Sequence, residues 1–202
     1  CDGELPFELD RHSIDLLKPF YISSICVFSL ILTTISVFLC YSFCNRKEME
    51  KIAGLIQQLE KHISNAALIN PVISASSVGW QIEHSLLTIN RIIDQLKKSD
   101  PNKYSWKFSI GRLIILTTQK IPRGRAQAPK IVQPKDDISF ECLNASIETA
   151  KESIQLLTTL NRNQYFEHPY FGKLNVKPAM QFLQIHTQHH LAIIDDIVRS
   201  TK

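Results

Sequence analysis

Three histidines fall within five residues near the end of the chain, in Ile185-His186-Thr187-Gln188-His189-His190. On a helix, His186 and His190 lie one turn apart and project from the same side. Phe182, Ile193 and Ile197 continue that stripe, so the pair faces the interior. An imidazole taken out of water loses hydration and must find a partner. Neutral imidazole is a common ligand for zinc, nickel and iron, so a divalent ion is one such partner. Bound water at the mouth of the helix packing is the other. A third ligand from a separate helix would favour the ion. His84, one turn after Trp80 in Trp80-Gln81-Ile82-Glu83-His84, is the candidate for it.

Other titratable groups have plainer readings. Glu83 points about 100° round the helix from His84 and reads as a surface carboxylate. His62 reads as a solvated helix terminus, and Asp195 and Asp196 as a solvated helix face. The loop carrying Glu167 and His168 precedes the histidine-rich helix and is placed to pass over the metal end. Both residues, with Trp80, are therefore candidates to line a pocket. The alternative for His168-Pro169 is a simple turn.

Four helical patterns must position these groups. The first spans 49–64, where Ile52, Leu55, Ile56, Leu59 and Ile63 form an amphipathic stripe. Ser77 caps a second, in which Val78, Ile82, Leu86, Ile89, Ile93 and Leu96 recur before Lys97-Lys98 and Asp100-Pro101 close it. A third starts near Asp137 and runs to about Asn161, with Phe140, Leu143, Ile147, Ala150, Ile154 and Leu157 inward. Asn175 can cap the fourth, which tolerates Pro178 in its first turn and continues to about Ser200. Residues 102–135 form a long irregular connection containing a short apolar piece, Ile110 to Leu116. No sustained period-two pattern marks a strand. The expected fold is all-α, a four-helix bundle with a long crossing connection between its second and third helices.

Composition divides the chain of 202 residues in two. Residues 1–45 hold two basic and five acidic residues, a net of −3, and the remaining 157 hold 21 and 14, a net of +7. From Pro19 to Asn45 nothing is charged. Residues 20–44, as a helix, would reach roughly 37 Å, enough to span a bilayer with tilt. Arg46, Lys47 and Lys51 after this run weakly favour a cytoplasmic C-terminal side. Met49 is the first methionine, so the alternative is that 1–48 is upstream sequence read in frame, with 49–202 as the domain. At 44% hydrophobic, the chain is not disordered, and five cysteines are too few for a disulfide scaffold. Only Cys142 lies in 49–202, which excludes a disulfide or a cysteine zinc site inside that part.

Trp80-Gln-Ile-Glu-His84 on one helix, with His186-Thr-Gln-His-His190 on the last, resembles the DinB-like (damage-inducible) four-helix-bundle superfamily. The loop His168-Pro169-Tyr170-Phe171-Gly172 resembles, more narrowly, a branch of it with an HPYFG loop. The resemblance covers Met49 to Thr201 and leaves 1–48 unmatched. It implies that His84, His186 and His190 hold one divalent metal ion (zinc, nickel or iron), with His189 a bystander. Three ligands leave a coordination position open, the arrangement of catalytic rather than structural sites.

The implied activity is a thiol-dependent transferase or a metal-dependent hydrolase. Its partner would be a small-molecule substrate, with a low-molecular-weight thiol as cosubstrate in the first case. The rival reading is a non-catalytic binding or membrane-tethered module whose histidines are structural. The basic stretch Lys120 to Lys135 reads as a solvated loop, or as an attractor for a carboxylate-bearing substrate or acidic lipid surface. It lacks any nucleic-acid motif, so no nucleic-acid partner is expected. DinB-like bundles often form homodimers. The bundle is expected in the cytoplasm, reaching a membrane only through 20–44 if 1–48 belongs to the mature protein.

Overall fold

The computed structural model of the chain describes residues 43, 45–124, 128–134 and 138–201. The candidate membrane helix 20–44 and the junction at 1–48 fall almost wholly outside them. Among the described residues, no helix is long and apolar enough to cross a membrane. The chain divides into two units at Cys44, and the second, Asn45–Lys202, carries the histidines of interest and the helices that position them.

Helix α1 occupies 45–61, α2 Val78–Lys98, α3 Ile110–Thr118, α4 Phe140–Gln155 and α5 Val176–Ser200. Between α4 and α5 lies a hairpin of β1 Tyr165–His168 and β2 Gly172–Asn175. Helix α2 packs against α4 and α5. Polar contacts tie α1 to the same two helices: Lys151 donates to Glu60, and Gln184 to Glu48. The four long helices thus enclose one apolar core, in which Ile56, Leu59, Ile82, Leu86, Ile93, Ile147, Leu183 and Ile194 are fully buried. The expected stripes face inward except at Phe140, which is exposed because it is the first residue of α4, at the helix end.

Local signals set most of the boundaries. The Ser77 hydroxyl accepts the Trp80 N–H at 3.2 Å and begins α2; Lys97 and Lys98 end it. Ser139 accepts the Cys142 N–H at 3.2 Å, so the third long helix starts at Phe140, three residues later than expected from Asp137. It also ends early. The hydroxyls of Thr158 and Thr159 bond back to the carbonyls of Gln155 and Leu156, and the last turn tightens to a 3-10 form. Asn175 does precede α5, but its side chain makes no capping bond.

The hairpin departs from the all-helical expectation. Its strands are only four residues long, too short for alternation to register as a pattern. Phe166 and Leu174 turn inward as a pair, and Glu167 stands opposite Lys173. Gly172 closes the turn at φ 68°, a left-handed conformation that glycine adopts without a Cβ clash. A lone two-stranded hairpin is marginal in water. Here Phe166 and Leu174 join the core, and the strands pack on α2 and α5.

The long connection between α2 and α4 carries α3, which packs on α5, and a 3-10 turn at Lys130–Val132, which packs on α2. The second contact matters for the histidines.

Candidate metal centre

His84 comes from the middle of α2, and His186 and His190 from successive turns of α5. One ring nitrogen from each lies within 4.8 Å of the other two. The Nε2 atoms of His186 and His190 face one another at 3.2 Å. Ring centroids are separated by 5.1 Å for His84 and His186, 4.7 Å for His84 and His190, and 4.5 Å for the α5 pair. The expected trio is therefore assembled. His84 and His190 are buried, and His186 is half-buried as a residue, with its ring nitrogen Nδ1 buried.

The outward nitrogens are held by partners. His84 Nδ1 donates to the Val132 carbonyl at 2.7 Å, across 48 residues of sequence. His190 Nδ1 donates to Gln81 Oε1 at 2.6 Å. Gln81 is itself oriented, because its Nε2 donates to the Ser74 hydroxyl at 3.1 Å. Each donation places the proton on Nδ1 and leaves the Nε2 lone pair free. Such outer hydrogen bonds fix tautomer and ring angle in metal sites. His186 differs, since its Nδ1 is buried without a partner.

Electrostatics favour neutral rings. Burial pushes the pKa of His186 and of His190 well below the ordinary histidine value, and repulsion from the neighbouring imidazoles adds to it. His84 is lowered by burial as well, partly offset by its bond to Val132. A neutral imidazole is the form that binds a metal. Among the described residues no carboxylate or thiolate joins the trio.

The donor set fits a divalent ion. Ligands about 2.1 Å from a tetrahedral centre lie about 3.4 Å apart. The α5 pair is already close to that spacing, and His84 must close by a modest side-chain movement. Without an ion, the one Nε2–H that His186 can offer reaches the Nε2 of His190. With an ion, all three lone pairs have a common partner.

Trp80 stacks on His84 with centroids 4.9 Å apart and planes at 18°, forming one wall of the site. Phe182 lies 5.6 Å from the His186 ring and forms another. His168 sits behind Phe182, edge-on at 4.8 Å, and is stacked on Phe171 at 4.1 Å. Its Nδ1 accepts the Tyr170 N–H, and burial lowers its pKa to about 4. Glu167 points the other way. It is exposed on β1 and lines a shallow groove with Arg91, Asp94 and Lys98. His189 stays beside the trio, edge-on to His190 at 5.1 Å.

Several titratable groups differ from their plainer readings. Glu83 is half-buried rather than on the surface; it accepts from Ser146 at 3.0 Å, and its other oxygen is buried and unpaired. His62 pairs with Asp195 at 3.3 Å, and Asp196 with Arg123 at 2.8 Å. In the HPYFG loop Tyr170 is exposed, whereas Phe171 packs against the core. Gln81 and Val132 are the residues that sequence reasoning missed. Gln81 lay inside the Trp80–His84 motif without an assigned role. Val132 acts through its carbonyl, which no side-chain pattern reports.

Compared with models of protein families, with curated proteins and with solved structures, the chain matches none.

Proposed function

We propose that this chain is a DinB-like metalloprotein that holds one divalent ion on His84, His186 and His190 and catalyses thiol-dependent transfer or hydrolysis. The observation that carries the reading is the convergence of three neutral imidazoles, two of them locked in the ligating tautomer by Val132 and Gln81. When bound, the ion would lower the pKa of a thiol or water and polarise a carbonyl.

The chain's own residues do the rest. Gln81 and the Val132 carbonyl orient two ligands, and Ser74 orients Gln81. Trp80 and Phe182 wall the site with aromatic surface, and the His168–Phe171 stack packs behind Phe182. Three neutral ligands leave the full charge of a divalent ion uncompensated. That favours an anionic group at the open position, which a thiolate or a carboxylate-bearing substrate supplies.

The test uses cobalt(II) as a spectroscopic substitute for the native ion. The cobalt-loaded full chain is titrated with a small thiol such as 2-mercaptoethanol. A sulfur-to-cobalt charge-transfer band that saturates, and is missing from His190→Ala, supports thiol use. Cobalt that binds stoichiometrically but never takes up thiol leaves hydrolysis as the surviving branch. No cobalt binding at all returns the chain to the non-catalytic alternative.

A further inference from the structure

Helix α3 is built inside out. Arg112 and Ile115 form its buried side, and the opposite face carries Ile110, Leu113 and Ile114, each more than half exposed. Positions i, i+3 and i+4 share a helix face, so these three side chains make one continuous aliphatic strip. Just before the helix, Trp106 and Phe108 are each 63% exposed, with ring centroids 6.3 Å apart. Five large apolar side chains thus stand in water within nine residues. A soluble surface does not ordinarily gather them without a partner.

The surrounding charge identifies the partner. Between Pro101 and Lys135 the sequence contains eight Lys or Arg and no Asp or Glu. The whole chain is only +4, so this connection is +8 and the rest of the chain is −4. Lys103 precedes the aromatic pair, Lys107 lies between its two members, and Lys120 follows the helix; all three are exposed. Exposed aliphatic and aromatic side chains bordered by cations are what an anionic lipid interface accepts. Trp prefers the headgroup level of such an interface. A second copy of the chain would oppose like charge to like. Nucleic acid would answer the charge but leave Ile110, Leu113 and Ile114 in water. The sequence also contains an uncharged run from Pro19 to Asn45, long enough as a helix to span a bilayer.

We infer that the α3 strip, with Trp106, Phe108 and these lysines, is a docking surface for an anionic membrane. It lies on the bilayer rather than crossing it, since α3 has nine residues. The inference is independent of the metal site.

The experiment reads the depth of Trp106 in lipid, which does not depend on how residues 1–44 meet the vesicle. Full-length protein is mixed with vesicles of phosphatidylcholine, with and without phosphatidylglycerol, carrying brominated acyl chains. Trp106→Phe subtracts the contribution of Trp80. We expect Trp106 emission to be quenched in the anionic vesicles and much less in neutral ones. Raised salt should weaken the effect. Leu113→Ser with Ile114→Ser, both at exposed positions, should weaken the partitioning that quenching reports roughly tenfold or more. Unquenched Trp106 in anionic vesicles overturns the proposal, as does quenching indifferent to lipid charge and to the double substitution. Self-association without lipid that the double substitution abolishes assigns the strip to a second copy instead. Tight duplex DNA binding without vesicle quenching assigns the basic stretch to nucleic acid.

Discussion

His190 Nδ1 donates to Gln81 Oε1 at 2.6 Å, joining two residues 109 positions apart and fixing which nitrogen of His190 faces the trio. The bond links α2 to α5 through a side chain that is itself held by Ser74. A ligand whose tautomer is set in advance binds a metal without first reorganising. The relationship therefore gives Gln81 a role that can be measured.

Gln81→Leu should leave the fold intact and weaken divalent-metal affinity about 10- to 100-fold, the usual effect of losing such an outer partner. Gln81→Glu restores an acceptor for Nδ1–H and should recover most of the loss. Chelator competition on the two variants checks this. Equal affinity for wild type and Gln81→Leu would mean that the bond does not tune the site.

The metal-free protein should lose stability in mild acid. His168 has a folded pKa of about 4 against an ordinary 6.5, because burial disfavours its charged form. Between those values the unfolded chain binds more protons than the folded one, so stability falls as pH drops through that window. His84, His186 and His190 are shifted in the same direction, again chiefly by burial. Thermal unfolding of metal-free protein should show a falling Tm from about pH 6.5 to 4, and His168→Phe should flatten part of the slope. A Tm that holds level over that range would contradict the burial of these rings.

Glu83 should behave in the opposite sense. Burial raises its pKa, and only one of its oxygens has a partner, Ser146. The folded state then binds more protons than the unfolded state above the ordinary carboxylate value, so ionisation at neutral pH costs stability. Glu83→Gln removes that cost and should raise Tm by a few degrees at pH 7, with little change near pH 4. Calorimetry at the two pH values decides it.

How legible a residue is in the sequence depends on how it signals. His84, His186 and His190 announce themselves because helical spacing fixes the side from which a side chain projects. The inward stripes of the four long helices are readable for the same reason. The Val132 carbonyl gives no signal, since any residue there offers the same oxygen and only the path of an irregular connection brings it to His84. The hairpin is hidden by its length, and Glu83 by the assumption that a carboxylate prefers water. Glu167 and His168, neighbours in sequence, part company because alternate strand residues point to opposite faces. The apolar outward face of α3 is visible as a short hydrophobic piece, but its exposure depends on which side packs against α5.

The central claim is that three imidazoles on two helices hold one ion. Metal content of the purified full chain, measured beside His84→Ala, His186→Ala, His190→Ala and His189→Ala, tests it most directly. About one divalent ion per chain is expected in wild type and in His189→Ala, and a loss of at least roughly tenfold in affinity in each of the other three. Wild-type protein that neither contains nor takes up a stoichiometric divalent ion, or ion binding unchanged by His186→Ala and His190→Ala, would contradict it.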